Sequence, residues 1–200
     1  HMVSRQVYET LVTRVVDMSI EAQLATSWKA TDPETWVFTI RDDVVFSDGS
    51  PLKASDVVFS INRALAGASD MIELIDSITS VKATFNNQVE IKTEGPNPIL
   101  LNQLSQIFIM SEAWSKKNGC EQSQDFDASQ ETYCSINAMG TGPFKITLRE
   151  QNTRTVFERN SNWWGDQSQH NIDTIELLPI KNDATRVAAL LSGDIDFTNF

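Results

Sequence analysis

The chain has 200 residues, of which 40% are apolar and 22% charged, and its formal net charge is −11. This length and composition are typical of one large or two small folded domains and exclude a disordered chain. The acidic charge argues against nucleic-acid binding, which needs clustered lysines and arginines. The apolar runs all fall far short of the roughly 20 residues that a membrane-spanning helix requires.

Both ends of the sequence indicate a fragment. His1 precedes a methionine that resembles an initiator, so we interpret residues 1–2 as a cloning scar and leave them out of the fold. The last residues, SGDIDFTNF, stop inside an expected strand. We therefore expect the chain to be part of a longer protein.

The N-terminal part is predicted to contain a helix and a β-hairpin. Apolar residues at helical spacing predict a short helix over residues 7–16. Residues 24–41 form the expected hairpin, with its turn at the Asp-Pro-Glu sequence of residues 32–34. In its second strand we expect Trp36, Phe38 and Ile40 to face a core, and Thr39 and Arg41 to face outward.

A turn at residues 47–49 and a helix from Ser55 are predicted next. Glycine accepts the positive φ that such turns often need, and the turn ends at Gly49. Ser55 is the preferred helix cap because its hydroxyl accepts a backbone N–H, and Lys53 is the alternative. Three apolar residues share one face of this helix, which ends at Gly67: Val58, Ile61 and Leu65.

The remaining elements follow from similar patterns. Strands are expected on both sides of Asn86-Asn87 and of Gln151-Asn152, and a short helix and an apolar strand before residue 110. A helix ending at Gly119 follows. The C-terminal pattern is a strand at TIELLPI, a helix capped by Asn182 or Asp183 and a strand at DIDF. This order suggests a parallel crossover, and we place a domain boundary near residue 137.

Cys120 and Cys134 flank a polar stretch, and neither belongs to a Cys-x-x-Cys pair. Their spacing is wrong for a zinc ribbon. The preferred interpretation is a loop-closing disulfide, and two free buried thiols are the alternative. A disulfide here would stabilise the fold by about 3 kcal/mol in the chain-entropy model. It would also indicate an oxidising compartment such as a periplasm.

The residues offer little support for an enzyme. Beyond the scar, histidine occurs as His170 in a polar loop, where a surface role is favoured over a metal site with Asp173. Asp194 and Asp196 share one face of the last predicted strand, as a catalytic pair would, but such pairs are mostly solvated. We expect no cofactor.

Two aromatic or glycine-rich motifs allow a structural or a binding role. GTGPF precedes an alternating segment rather than a helix, so we favour a strained turn between domains over a phosphate-binding loop. Trp163-Trp164 either packs at a domain junction or lines a ligand cleft, with packing preferred.

Taken together, these segments resemble the large solute-binding proteins of peptide and nickel ABC importers. The matching motifs occur in order along the chain: VYETL at 7–11, LATSW at 24–28, Ile40-Arg41, FSDGSP at 46–51 with Ala54, Asp56-Val57 and Phe59-Ser60, GTGPF at 140–144, Arg159-Asn160, WWG at 163–165 and SGDID at 192–196. The family usually has threonine at the position of Lys53, and this departure weakens the expected capping box and favours Ser55 as the cap.

The resemblance implies a mixed α/β (α+β) fragment of the periplasmic-binding-protein-like class II fold. Family members have two lobes hinged around a buried ligand, plus an extra subdomain beside the first lobe. Residues 3–136 then form mainly the hairpin-rich subdomain, and residues 137–200 form part of the first lobe. Residues 41–65 would be structural frame. The second lobe is absent, and strand edges left without neighbours would allow two copies to dimerise.

The resemblance also implies a binding function. The protein would capture peptides in the periplasm and deliver them to an ABC permease in the inner membrane, with a signal peptide outside this sequence. A nickel chelate, haem or an oligosaccharide is the alternative ligand, and a hydrolase using Asp194 and Asp196 is a distant alternative. The candidate ligand-binding residues are Ser4, Arg5, Gln6 and Trp164.

Overall fold

A computed structural model describes residues 3–124, 132–169 and 171–198. Residues 1–2, which we interpreted as a cloning scar, residues 125–131 of the polar stretch, His170 and residues 199–200 therefore lie outside the described residues. Within the described ranges, no helix is long and apolar enough to cross a membrane. In chain order the elements are α1 (Ser4–Val7), β1 (Val12–Arg14), β2 (Ile20–Ala22), β3 (Ala25–Asp32), β4 (Thr35–Ile40), α2 (Ala54–Ala64), α3 (Ile72–Ile75), β5 (Ile78–Thr84), β6 (Gln88–Thr93), α4 (Leu100–Leu104), α5 (Glu112–Lys117), α6 (Tyr133–Ile136), β7 (Phe144–Glu150), β8 (Arg154–Arg159), a 3-10 turn (Gln167–Gln169), β9 (Thr174–Leu177) and α7 (Asp183–Ser192).

Among the described residues, the strands form three antiparallel sheets. The small sheet is β1-β2, the large one is β3-β4-β6-β5, and the third is β7-β8-β9. Helix α2 packs against β5 and β6 of the large sheet. The mixture of helices and antiparallel hairpins agrees with the predicted fold class.

The predicted alternation in β4 is confirmed. Phe38 and Ile40 are buried, and Trp36 packs against the same cluster with part of its surface exposed. Phe38 pairs with Trp28 of β3 on one side and with Val89 of β6 on the other. Thr39 and Arg41 keep partly exposed side chains. Because side chains alternate between the two faces of a strand, this register gives the large sheet one apolar face.

The predicted helix over residues 7–16 is wrong. Helix α1 ends at Val7, Tyr8 is extended with φ −113° and ψ 149°, and residues 12–14 form β1. The carbonyl groups of Thr10 and Leu11 accept backbone N–H groups from Leu24 and Ala25. Branched residues in this segment favour a strand, and the tertiary pairing outweighs the helical spacing of its apolar residues.

The preferred cap of α2, Ser55, is wrong, and the alternative, Lys53, is confirmed. Lys53 is the extended cap residue and Ser55 lies inside the helix. The Lys53 N–H donates to Asp56 Oδ2 over 2.8 Å, and the Ala54 N–H donates to Asn87 Oδ1 over 2.8 Å. These two acceptors satisfy the N–H groups of the cap residue and of the first residue of the helix. The buried apolar face is centred on Val57 and Ile61, while Val58 and Leu65 are half-buried.

Two predicted strands, one after α4 and one after α7, are not formed as expected in the described residues. After α4, the expected apolar strand is limited to a single bridge between Phe108 and Thr10. After α7, residues 194–198 form no strand among the described residues, and β9 pairs antiparallel with β8. The N–H groups of Asp194 and Ile195 bond instead to the carbonyl of Ala189, which ends the helix. The predicted parallel crossover is therefore not observed, since a strand needs a paired neighbour.

The predicted turns and the disulfide are confirmed. Positive φ angles occur at Gly49, at Asn86 and Asn87, and at Asn152. Helices α5 and α7 are followed by Gly119 and Gly193 with φ of 69° and 80°, and Asn182 caps α7 by accepting the Thr185 N–H. Cys120 and Cys134 form a disulfide with their Cα atoms 5.8 Å apart. The alternative of two free thiols is wrong.

In the described part of the chain, buried apolar residues form two clusters. The larger cluster lies between the large sheet and its helices and draws on residues 11–109. The smaller cluster contains Val7, Phe144 and Phe157, with Val3 and Tyr8 packed against it. Val3, Val7 and Tyr8 therefore pack with the C-terminal sheet.

Candidate functional site

Helix α1 lies between two clefts. Ser4 lines the first cleft, of about 540 Å³, together with Tyr8 and Arg63. Gln6 lines the second, of about 820 Å³, together with apolar residues of β8, β9 and the segment after α7. Arg5 is exposed, and its Nη2 donates to Gln106 Oε1 over 3.4 Å. The predicted ligand residues Ser4, Arg5 and Gln6 are thus adjacent but face different surroundings.

Trp164 occupies a different position from these three residues. Its indole N–H donates to Glu9 Oε2 over 2.8 Å, and the Arg41 guanidinium lies 4.1 Å from the centre of its ring. It is absent from the described linings of both clefts. Of the two roles considered for Trp163-Trp164, these contacts favour packing between segments.

The Glu9 carboxylate is the centre of this packing. Oε2 also accepts the Thr141 hydroxyl over 2.8 Å, and Oε1 accepts the Trp163 indole N–H over 3.2 Å. The side chain is only 4% exposed. Burial raises the pKa of Glu9, because it penalises the charged form, and the hydrogen bonds from Trp164, Thr141, Trp163 and Gln23 oppose that shift. The distant donors Thr141, Trp163 and Trp164 make this buried carboxylate a strong link between segments.

A close backbone approach accompanies the carboxylate. The Gly142 N–H donates to the Val7 carbonyl over 2.9 Å. A Cβ at Gly140 would lie 2.0 Å from the Val7 oxygen, and one at Gly142 would lie 2.8 Å from it. GTGPF is a turn between segments, as predicted. Neither Gly140 nor Gly142 has a positive φ, and both are needed because a side chain would collide with α1.

We call the group of Glu9, Arg41, Thr141, Trp163 and Trp164 the Glu9 junction. It unites four motifs that are far apart in the sequence: residues 7–11, 40–41, 140–144 and 159–165. Sequence reasoning identified each motif but missed the role of Glu9. The available signal was an acidic residue inside an apolar segment, VYETLV, where a carboxylate needs buried donors.

The junction is suited to holding segments together rather than to chemistry. Its carboxylate is sheltered from solvent and already accepts donors at both oxygens. Asp194 and Asp196, the distant candidates for catalysis, lie in an exposed segment after α7 and share no strand. The face that would align their carboxylates is therefore missing from the described structure.

Comparisons with known proteins agree with this architecture. Residues 19–200 match the family described as bacterial extracellular solute-binding proteins, family 5 Middle. The nickel-binding periplasmic protein of Escherichia coli K12 is 32% identical over 95% of this chain and 35% of its own. The periplasmic murein peptide-binding protein MppA of the same organism is 26% identical over 98% of this chain and 38% of its own.

Solved structures show the same fold. The crystal structure of NikZ from Campylobacter jejuni in complex with Ni(L-His) superposes with a TM-score of 0.83 at 24% identity, covering 96% of this chain and 37% of that one. The chain spans about a third of the length of these relatives. The chain belongs to family 5 of the bacterial extracellular solute-binding proteins.

Proposed function

We propose that the chain is one part of the substrate-binding component of an ABC importer. The observation that carries this proposal is the family match over residues 19–200. The complete protein captures peptides in the periplasm and delivers them to a membrane permease without a chemical step. Peptide is preferred as ligand because relatives named for murein peptide and oligopeptide binding align with 98% of this chain.

Within this protein, residues 3–136 supply mainly the extra subdomain and residues 137–200 supply part of the first lobe. The two separate apolar clusters support this division. The position of α1 beside the first lobe is supported by Val7, a member of the smaller cluster, and by Val3, which packs against it. Binding then occurs by closure of two lobes around the ligand.

Helix α1 supplies the ligand contacts of this chain. Arg5 is exposed and carries a full positive charge, which suits the carboxylates and carbonyl groups of a peptide. Ser4 and Gln6 add polar groups at the two clefts beside it. Trp164 acts indirectly, because its indole N–H and ring are engaged by Glu9 and Arg41.

A nickel chelate is the second candidate ligand. The support is the 32% identity to the nickel-binding periplasmic protein of Escherichia coli. One binding experiment with two probes distinguishes the two candidate ligands. A peptide pool contains no metal, and a nickel–histidine complex contains no peptide bond.

Calorimetry on the full-length protein tests the proposal. We expect a pool of di- to pentapeptides to bind with micromolar or tighter affinity, and Ni(II) with L-histidine to bind more weakly. Arg5→Ala should weaken binding roughly tenfold, which is about 1.4 kcal/mol. Arg14→Ala, at an exposed arginine of β1, is the matched control and should leave the affinity unchanged. Absence of binding by both probes would refute the function, and equal affinities of the two variants would refute the role of Arg5.

A further inference from the structure

We propose that Glu9 is a positioning residue that holds α1, the ligand-contacting segment, in its orientation through the Glu9 junction. The expected effect on ligand binding rests on the proposed function, whereas the contacts that hold α1 do not. Glu9 lies two residues after α1 and is itself buried, so it acts on ligand binding without touching the ligand.

Helix α1 needs outside support because it has only four residues. Helices this short are unstable alone, since nucleation costs more than one turn of hydrogen bonds returns. Its internal support is the Tyr8 N–H donated to the Ser4 carbonyl over 2.8 Å. The Val7 carbonyl is held from outside by the Gly142 N–H, and Val7 itself packs with Phe144 and Phe157.

The Glu9 side chain completes this support from the other side of Tyr8. Its donors Thr141, Trp163 and Trp164 lie 132, 154 and 155 residues further along the chain. Thr141 lies between the two glycines that contact Val7. The carboxylate therefore fixes the same turn whose backbone fixes the end of α1.

The groups facing Glu9 make the link specific to a carboxylate. Thr141, Trp163, Trp164 and the amide of Gln23 are uncharged, whereas Arg41 is charged, interacts electrostatically with Glu9 and lies over the Trp164 ring. Asp43 in turn binds Arg41. A glutamine at position 9 keeps one acceptor oxygen, but an NH2 group replaces the other. That NH2 group would face either the Trp163 indole N–H or the Trp164 and Thr141 donors, which need an acceptor.

Hydrogen exchange on this chain tests the positioning role. In Glu9→Gln, we expect the amides of Tyr8 and Gly142 to exchange at least about tenfold faster than in the wild type, relative to amides of the β5-β6 pair. The matched control is Asp56→Asn. Asp56 is also a buried carboxylate, but it accepts the backbone N–H groups of Lys53 and Glu112, which belong neither to α1 nor to the Glu9 junction. Equal exchange of these amides in wild type and Glu9→Gln would overturn the inference.

Tryptophan fluorescence supplies a readout that loss of packing alone would not produce. The emission of the wild type should titrate with a midpoint above the usual glutamate pKa of about 4.3, because burial raises the pKa of Glu9. Glu9→Gln should lack this step, and Asp56→Asn should keep it. A step of equal size in Glu9→Gln would contradict the assignment.

Ligand affinity of the full-length protein gives the functional result. With the peptide pool as probe, Glu9→Gln should weaken binding roughly tenfold while Asp56→Asn changes it less than about twofold. Unchanged affinity in Glu9→Gln would overturn the positioning role. If the wild type binds no probe, the proposed function fails, and the exchange of the Tyr8 and Gly142 amides decides the inference by itself.

Discussion

The guanidinium carbon of Arg41 lies 4.1 Å from the centre of the Trp164 ring, so the end of β4 contacts a turn more than 120 residues further along the chain. Arg41 also forms a two-pronged hydrogen bond with Asp43, with distances of 2.9 and 2.8 Å. The aspartate holds the planar guanidinium against the indole. The sequence predicts a structural rather than a ligand-binding role for residues 41–65, and the place of Arg41 in the Glu9 junction supports that prediction.

A double-mutant cycle measures the energy of this contact. We expect Arg41→Ala and Trp164→Leu to show a coupling of about 0.5–2 kcal/mol in the free energy of unfolding by urea, the range of cation–π pairs. The control cycle pairs Trp164→Leu with Arg154→Ala on β8, whose partners are Glu150 and Glu176. A coupling for Arg41 no larger than that of the control would show that the stacking contributes nothing.

Gly140 provides a test of the backbone contact with α1. Gly140→Ala places a Cβ 2.0 Å from the Val7 oxygen, so the backbone must shift and we expect a loss of about 1–3 kcal/mol or more of unfolding free energy. Gly95→Ala is the matched control, because a Cβ there meets no atom within 4 Å. Thermal and urea unfolding of the two variants give the comparison. Similar stabilities of the two variants would mean that the backbone at Val7 is not in close contact with the turn at Gly140.

Phe38 tests the register of the large sheet. It is fully buried, and Phe38→Ala should cost about 3–5 kcal/mol of unfolding free energy through lost burial and a cavity. Phe85, at the tip of the β5-β6 hairpin, is 91% exposed, and Phe85→Ala should change stability by less than about 0.5 kcal/mol. A cost below about 1 kcal/mol at Phe38 would indicate the reverse register.

The disulfide should stabilise the fold by lowering the conformational entropy of the unfolded chain. Cys120 and Cys134 are separated by 14 residues, so replacing both by serine should lower the unfolding free energy by about 3 kcal/mol. Alkylation without reductant, followed by mass measurement, establishes whether the bond forms in solution. Two alkylated cysteines in the untreated protein would contradict the pairing.

Local chemistry allowed the three hairpins with turns at residues 32–34, 86–87 and 151–152, and the C-terminal ends of α5 and α7, to be predicted. Asn86, Asn87 and Asn152 adopt the positive φ expected of their turns, and Gly119 and Gly193 follow their helices. The alternation around Phe38 also predicted the correct face of β4. These features depend on residues that are close in sequence, so local sequence patterns are enough to predict them.

The errors occur where distant segments supply the hydrogen bonds. Residues 7–16 have helical spacing, yet Thr10 and Leu11 pair with Leu24 and Ala25. The cap of α2 uses Asn87, a residue 33 positions away from its donor. Glu9 is the clearest case among the site residues, because its donors lie in motifs whose proximity no local pattern predicts.

The central claim is that ligand is captured between this part of the protein and a second lobe. Isothermal calorimetry with the pool of di- to pentapeptides, run in parallel on this chain and on the full-length protein, tests that claim most directly. A cleft that closes from one side only leaves its polar groups in water, which weakens their hydrogen bonds to ligand. We predict micromolar or tighter binding by the full-length protein and no measurable binding by this chain. Micromolar binding by the 200-residue chain itself would contradict the claim and place the complete site within it.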